Sequence, residues 1–320
     1  MPEIIFLQLL QTMINRILIR IKVLQMVFAY YQKGNYDVKT AENELHFSLQ
    51  RTYDLYYYFL LLIVELTNLC EKQINAGKMK LLPTEEERHP NTRFIDNRFA
   101  RQLATNEILS LYVKEHGIIW ADEKDFLKNV LAMIQRSAIY KDYLNNPHDS
   151  YETDQEFWRV VFRNLICGNE EIEDELEGLS IYWNDDVEII ETFVLKTIKR
   201  FKEATGNKQE LLPMYKDDED AAFVVQLFRN SIQHEHEYRE RIERHTKNWE
   251  SERVANMDMV IMQVALAEIL NFPKIPVKVT LNEYIDAAKY YSTPKSSVFI
   301  NGVLDSIVKE LKKEKLLLKD

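Results

Sequence analysis

The run His234-Glu235-His236-Glu237, with His245 a little further on, has the residue types of a metal site. Residues two apart point to different sides of a helix, and no four-apart histidine pair or close cysteine pair supports the run, so these histidines read as solvent-exposed. Cys70 and Cys167 are too few and too far apart for a disulfide framework or a zinc site, and a reducing cytoplasm is the expected setting. The chain has no glycine-rich phosphate loop, nucleophile elbow or zinc-protease helix, and no carboxylate spacing marks an acid/base pair. Neither catalysis, a metal nor a cofactor is expected. Some cations stand where an anion could be met. Arg16 and Arg20 lie four apart on one stripe of a first helix, with Lys22 on another side. Lys289, Lys295, Ser296 and Ser297 surround the start of the last helix, where backbone N–H groups and the helix dipole favour an anion. The alternatives are ordinary solvated arginines and plain serine capping.

These side chains need helices to carry them, and the chain is suited to helices. Seven glycines and eight prolines in 320 residues imply long helices, few tight turns and an all-α fold. The formal net charge of −10 disfavours non-specific nucleic-acid binding and any role on DNA, so an RNA surface must be a local basic patch. Ile14, Ile17, Leu18, Ile21, Leu24, Phe28 and Tyr31 recur at helical spacing up to a stop at Gly34-Asn35. One or two helices with an aromatic-rich core face follow from Asp37 to Cys70. Within them Leu55 to Val64 is an apolar run far short of the roughly 20 residues of a membrane span. Residues 1–12 read as an extension upstream of a natural start at Met13, and Ile4 to Leu10 is short for a signal peptide. A polar connection covers Gly77 to Asn97, and periodicity resumes over Phe99 to Val113 and Lys124 to Leu144. Asn145 to Ser150 is the clearest break, separating a helical region 13–150 from another at 151–320.

A repeat lies beyond that break. Asp154, Phe157, Phe162-Arg163-Asn164, Ile166 and Trp183 match Asp220, Phe223, Phe228-Arg229-Asn230, Ile232 and Trp249, each pair 66 residues apart. Chance similarity of two amphipathic helices is the alternative, and the gap-free register favours duplication. Glu170 to Glu191 holds ten carboxylates and no base, a solvated face or a docking surface for a basic partner.

Near the C-terminus, Pro273 and Pro276 end a helix and enforce an extended link. Thr280 and Glu283 have capping-box spacing, predicting a helix that faces inward through Leu281, Ile285 and Ala288. Ser296 or Ser297 would cap the last helix, which buries Phe299, Ile300, Val303, Leu304, Ile307 and Leu311. Gly302 inside it costs about 1 kcal/mol against alanine. Close approach of another helix is the expected reason.

Asp220…Phe223…Leu227-Phe228, Trp249…Arg253…Asp258, Ala265-Leu266-Ala267-Glu268, the proline link, Asn282-Glu283, Ala288-Lys289 and Phe299-Ile300-Asn301-Gly302-Val303-Leu304-Asp305 together resemble the C-terminal half of the NusB family. Arg16-x-x-x-Arg20 with Leu24 to Tyr30 resembles the family's basic first helix. The resemblance covers residues 14–33 and about 220–311. It implies two packed helical bundles, here enlarged by additional helices, in a cytoplasmic bacterial protein. It further implies binding of single-stranded boxA-type RNA with NusE, a small-subunit ribosomal protein, within the RNA polymerase antitermination complex that supports ribosomal RNA transcription. Glu268, Asn282, Glu283, Phe299, Asn301, Gly302 and Asp305 are its motif residues. Arg16 and Arg20 are then the first candidates for phosphate contact, and Lys289, Lys295, Ser296 and Ser297 the second.

Three departures bear on that expectation. Typical members are about half as long, so residues 35–215 are additional or strongly diverged. The first helix has fewer cations than is common, and Gln263 stands where the family commonly has arginine. The alternative function is a helical scaffold that keeps the NusE-binding surface without binding RNA.

Overall fold

The structure is a computed structural model that describes residues 14–34, 37–120, 122–246, 256–317 and 319. Trp249, Arg253 and residues 1–12 lie outside them. All regular structure among the described residues is helical. The chain runs through α1 (Arg16–Gln32), α2 (Val38–Lys78), α3 (Arg98–Ala104), α4 (Glu107–His116), α5 (Lys124–Arg136), α6 (Ala138–Asn145) and α7 (Tyr151–Val161). It continues through α8 (Glu170–Leu179), α9 (Val187–Arg200), α10 (Asp218–Gln233), α11 (Glu235–Thr246), α12 (Asn256–Asn271), α13 (Val277–Tyr291) and α14 (Ser296–Lys313). Two compact units result, one from residues 1–49 and 215–320 and one from residues 50–214. The divisions fall at these points and not at the break around residue 150.

The first unit is built around α12, which packs against α1, α10, α11, α13 and α14. Surrounded on every side, α12 is buried at every residue from Val260 to Ile269. A helix enclosed this way cannot be amphipathic, and its polar residues Gln263 and Glu268 must find partners inside. The Asn15 side chain accepts from Leu18 N–H to cap α1, which buries Leu18, Ile19, Val23, Leu24 and Val27. Gly34 follows with a left-handed φ of 67°.

Two expectations for the C-terminal helices change. Pro276, extended at φ −60° and ψ 141°, precedes Val277 directly, so α13 begins three residues before Thr280 and the capping-box reading fails. That start rotates the buried face to Val277, Thr280, Tyr284, Ala287 and Ala288, leaving Leu281 and Ile285 half-buried. In α14, Ile300, Val303, Leu304, Ile307 and Leu311 are buried as expected, while Phe299 is half-buried. Gly302 faces solvent, and a Cβ built there would have no neighbour within 4 Å. No helix approaches it.

In the second unit the Leu55-to-Val64 run of α2 is core, together with Trp120, Trp158 and Trp183. The periodic stretches 99–113 and 124–144 each break in the middle. The Asn106 side chain accepts from Leu109 N–H and the Ser137 hydroxyl from Tyr140 N–H, so each caps a new helix without disturbing the apolar spacing. The repeat positions Phe157 and Phe223, Phe162 and Phe228 are buried in both units, as are Asp154 and Asp220. Of the ten carboxylates between Glu170 and Glu191, Asp186 and Glu191 are buried.

Candidate nucleic-acid interface

The spacing that puts Arg16 and Arg20 on one stripe of α1 gives them different fates. Arg20 is withdrawn into the core. Its Nε and Nη2 each donate to Glu268 at 2.8 Å, and its Nη1 lies 3.5 Å from Glu283. Glu268 also accepts from Thr280 Oγ1 at 2.8 Å and from the Tyr284 hydroxyl at 3.1 Å. Four donors on a fully buried carboxylate bind α1, α12 and α13 at one point. Burial opposes the charge on Arg20, but the Glu268 bonds outweigh it and hold the guanidinium protonated. Burial beside Glu268 also raises the Tyr284 hydroxyl well above its ordinary range. A guanidinium enclosed this way does not reach a phosphate, so the expectation for Arg20 is corrected: it orients the first helix.

Arg16, one turn earlier, reaches the surface. Its Nε donates to buried Asp220 at 2.8 Å, and its guanidinium carbon lies 5.1 Å from the centre of the Phe223 ring. Its Nη2 is 3.4 Å from Glu219, whose other oxygen is 3.4 Å from Lys274 Nζ. Sequence reasoning passed over Lys274. It sits in the proline link, and only the fold brings it to α1 through the first turn of α10.

Around the start of α14 the candidates separate. Ser296 is buried, donating to Asp258 Oδ2 at 2.9 Å and accepting from Thr293 N–H at 3.2 Å; Ser292 also donates to Asp258. Neither Ser296 nor Ser297 makes a capping bond to α14, so the expected serine cap is absent. Ser296 ties this loop to α12, and Ser297 is half-buried. Lys295 is exposed and forms no ion pair among the described residues, whereas exposed Lys289 pairs with Asp286 at 2.6 Å. Further along α14 Phe299 is half-buried and Asn301 and Gly302 are exposed. Asp305 is half-buried and accepts from Lys309, and Asn282 is exposed on α13.

Gln263 lies wholly in the core, its amide donating to Ser231 O at 2.7 Å and to the Tyr31 hydroxyl. The missing arginine there removes no surface cation. Lys22 is likewise buried. His245 packs with Ser306 and Glu310, away from His234, which lies 3.7 Å from Glu237. Among the described residues no group of three or more His, Cys, Asp or Glu is placed to hold a metal ion. No helix among them is long and apolar enough to cross a membrane.

The first unit is thus a helical bundle with an internal ionic hub, and Arg16, Lys274, Lys289 and Lys295 are among the cations that reach its surface. Residues 185–309 match the NusB family model, a stretch that takes in α9 of the second unit and the first unit from α10 into α14. The transcription antitermination protein NusB of Salinibacter ruber is 36% identical over 37% of this chain and 78% of its own length. The NusB proteins of Koribacter versatilis and Chloroherpeton thalassium are 39% and 40% identical over 31% and 30% of this chain, and over 68% and 45% of their own lengths. No solved structure matches the chain significantly. The chain belongs to the NusB family.

Proposed function

We propose that this protein is a transcription antitermination factor whose first unit binds single-stranded boxA-type RNA together with NusE, in the cytoplasm and without catalysis. One observation carries the RNA part: Arg16 of the first helix and Lys274 of the proline link share one surface carboxylate, and Lys295 at the start of the last helix forms no ion pair among the described residues. Arg16 and Lys274 form one edge, Lys289 and Lys295 the other. The unit opposes an RNA little, having 21 Lys and Arg against 22 Asp and Glu, whereas the second has 20 against 29. Half-buried Phe299 and exposed Asn301 offer a ring and an amide to an unpaired base beside Lys295.

Four phosphate contacts on a single strand give a log–log salt slope of about −3. The test is binding of boxA-type and scrambled RNA, with and without NusE, across salt concentrations. A preference for boxA that NusE strengthens is the expected result, and a flat salt response defeats the reading. The withdrawal of Arg20 into the core favours a second reading, in which the fold keeps a NusE-binding surface and contributes no RNA contact. NusE binding that is indifferent to RNA would establish it.

A further inference from the structure

Glu219 stands between Arg16 and Lys274. Its two carboxylate oxygens lie 3.4 Å from Arg16 Nη2 and 3.4 Å from Lys274 Nζ, bridging the two cations of the first edge. The side chains of Glu219 and Lys274 are 53% and 80% exposed, so both contacts are long, wet and weak. The neighbouring contact is different. Asp220 is nearly buried and takes Arg16 Nε at 2.8 Å, with the Phe223 ring beneath the guanidinium. One carboxylate therefore fixes the arginine and the next one merely covers it.

We propose that Glu219 is an electrostatic gate on this edge, an internal carboxylate that an RNA phosphate must displace to reach Arg16 and Lys274. The inference rests on the RNA-binding reading above and names the residue that limits it. On displacement Asp220 keeps Arg16 Nε, so the guanidinium holds its orientation and offers its Nη edge. The phosphate takes over both cations, and Glu219, repelled by it, turns to solvent. Glu219 also belongs to the acidic first turn of α10, with Asp217, Asp218 and Asp220, where the helix dipole favours negative charge. That is a structural role, and its loss would lower stability without raising RNA affinity. The two roles predict opposite changes in binding.

The experiment compares Glu219→Gln with Asp218→Asn, which removes the same charge from the same turn at an exposed residue that forms no ion pair with Arg16. Two single-stranded probes are used, a boxA-type RNA and an oligouridylate. Glu219→Gln should bind about three- to tenfold tighter at low salt, with the gain shrinking as salt rises. Asp218→Asn should change affinity less than twofold. Adding Lys274→Ala to Glu219→Gln should cancel part of the gain. Equal gains from both neutralisations would mean only general charge and would overturn the gate, as would no gain on either probe. A gain on both probes without boxA preference would keep the gate and overturn the sequence-specific reading.

Discussion

The two units bury polar groups in different ways. The first encloses a charged pair, Arg20 with Glu268, and surrounds it with the donors Thr280 and Tyr284. The second buries a cluster of tyrosine hydroxyls alongside its carboxylates. Tyr53, Tyr56 and Tyr57 are buried, with Tyr53 and Tyr57 against Tyr112; the Tyr53 hydroxyl donates to Leu212 O at 2.8 Å and Tyr56 pairs with Thr197 at 2.7 Å. Its buried Glu191 accepts from Gly168 N–H at 3.3 Å and has the Cys167 thiol beside it. Burial, with Glu173 and Glu188 nearby, pushes that carboxyl up to about 7. A fully bonded ion pair fixes one geometry for the helices it joins. A carboxyl raised to about 7 carries less charge near neutral pH, in a unit that already has nine excess carboxylates. The first arrangement suits a unit that must present a surface, the second a unit that carries its charge outside.

The largest effect should come from breaking the hub. Arg20→Met leaves Glu268 buried without its counter-ion and should cost about 3–5 kcal/mol. Adding Glu268→Leu should recover most of that loss, because the uncompensated charge is then gone. Urea unfolding reads both, and amide exchange should localise the loss to α1, α12 and α13. A cost under about 1 kcal/mol for Arg20→Met would mean that the pair does not hold these helices.

In the second unit the corresponding test is pH. The Glu191 carboxyl is raised in the folded chain above its ordinary 4.5, so over the window from about 4.5 to 7 the folded state binds more protons than the unfolded one. Stability is fullest below the window and falls as pH rises through it, by about 2–3 kcal/mol in all. Glu191→Gln should flatten this dependence. Thermal unfolding from pH 4.5 to 8 measures it, and an unchanged pH slope in the variant would place the proton elsewhere.

Much of this architecture was legible in the sequence because it depends on local spacing. Gly34 ends α1, the run from Leu55 to Val64 is core, and Phe157, Phe162, Phe223 and Phe228 all face inward. What escaped was decided by distant residues. Arg16 and Arg20 are equivalent by periodicity, and only Glu268, 248 residues beyond Arg20, selects the one that is buried. Lys274 gains its place from Glu219, 55 residues away. Thr280 and Glu283 have the spacing of a capping box, yet Thr280 donates to Glu268 because Pro276 has already started the helix.

The smallest effect concerns two helix glycines, one in each unit. Gly302 in α14 and Gly178 in α8 are both exposed, and neither has an atom within 4 Å of where a Cβ would stand. Gly302→Ala should stabilise the first unit by up to about 1 kcal/mol, since alanine restricts the unfolded chain and fits the helix. Gly178→Ala should give less, because it lies one residue from the end of α8, where helical order is weakest. Chemical denaturation orders the two. RNA binding then separates their purposes. Gly302 neighbours Asn301 and sits one turn beyond Val298, a residue 76% exposed, so a methyl there intrudes on the surface a bound strand would follow from Lys295. Gly302→Ala should therefore weaken RNA binding while raising stability, and Gly178→Ala should leave binding unchanged. Gain of stability with undiminished binding by Gly302→Ala would show that the strand does not cross this face of α14 and would confine it to the edge formed by Arg16 and Lys274.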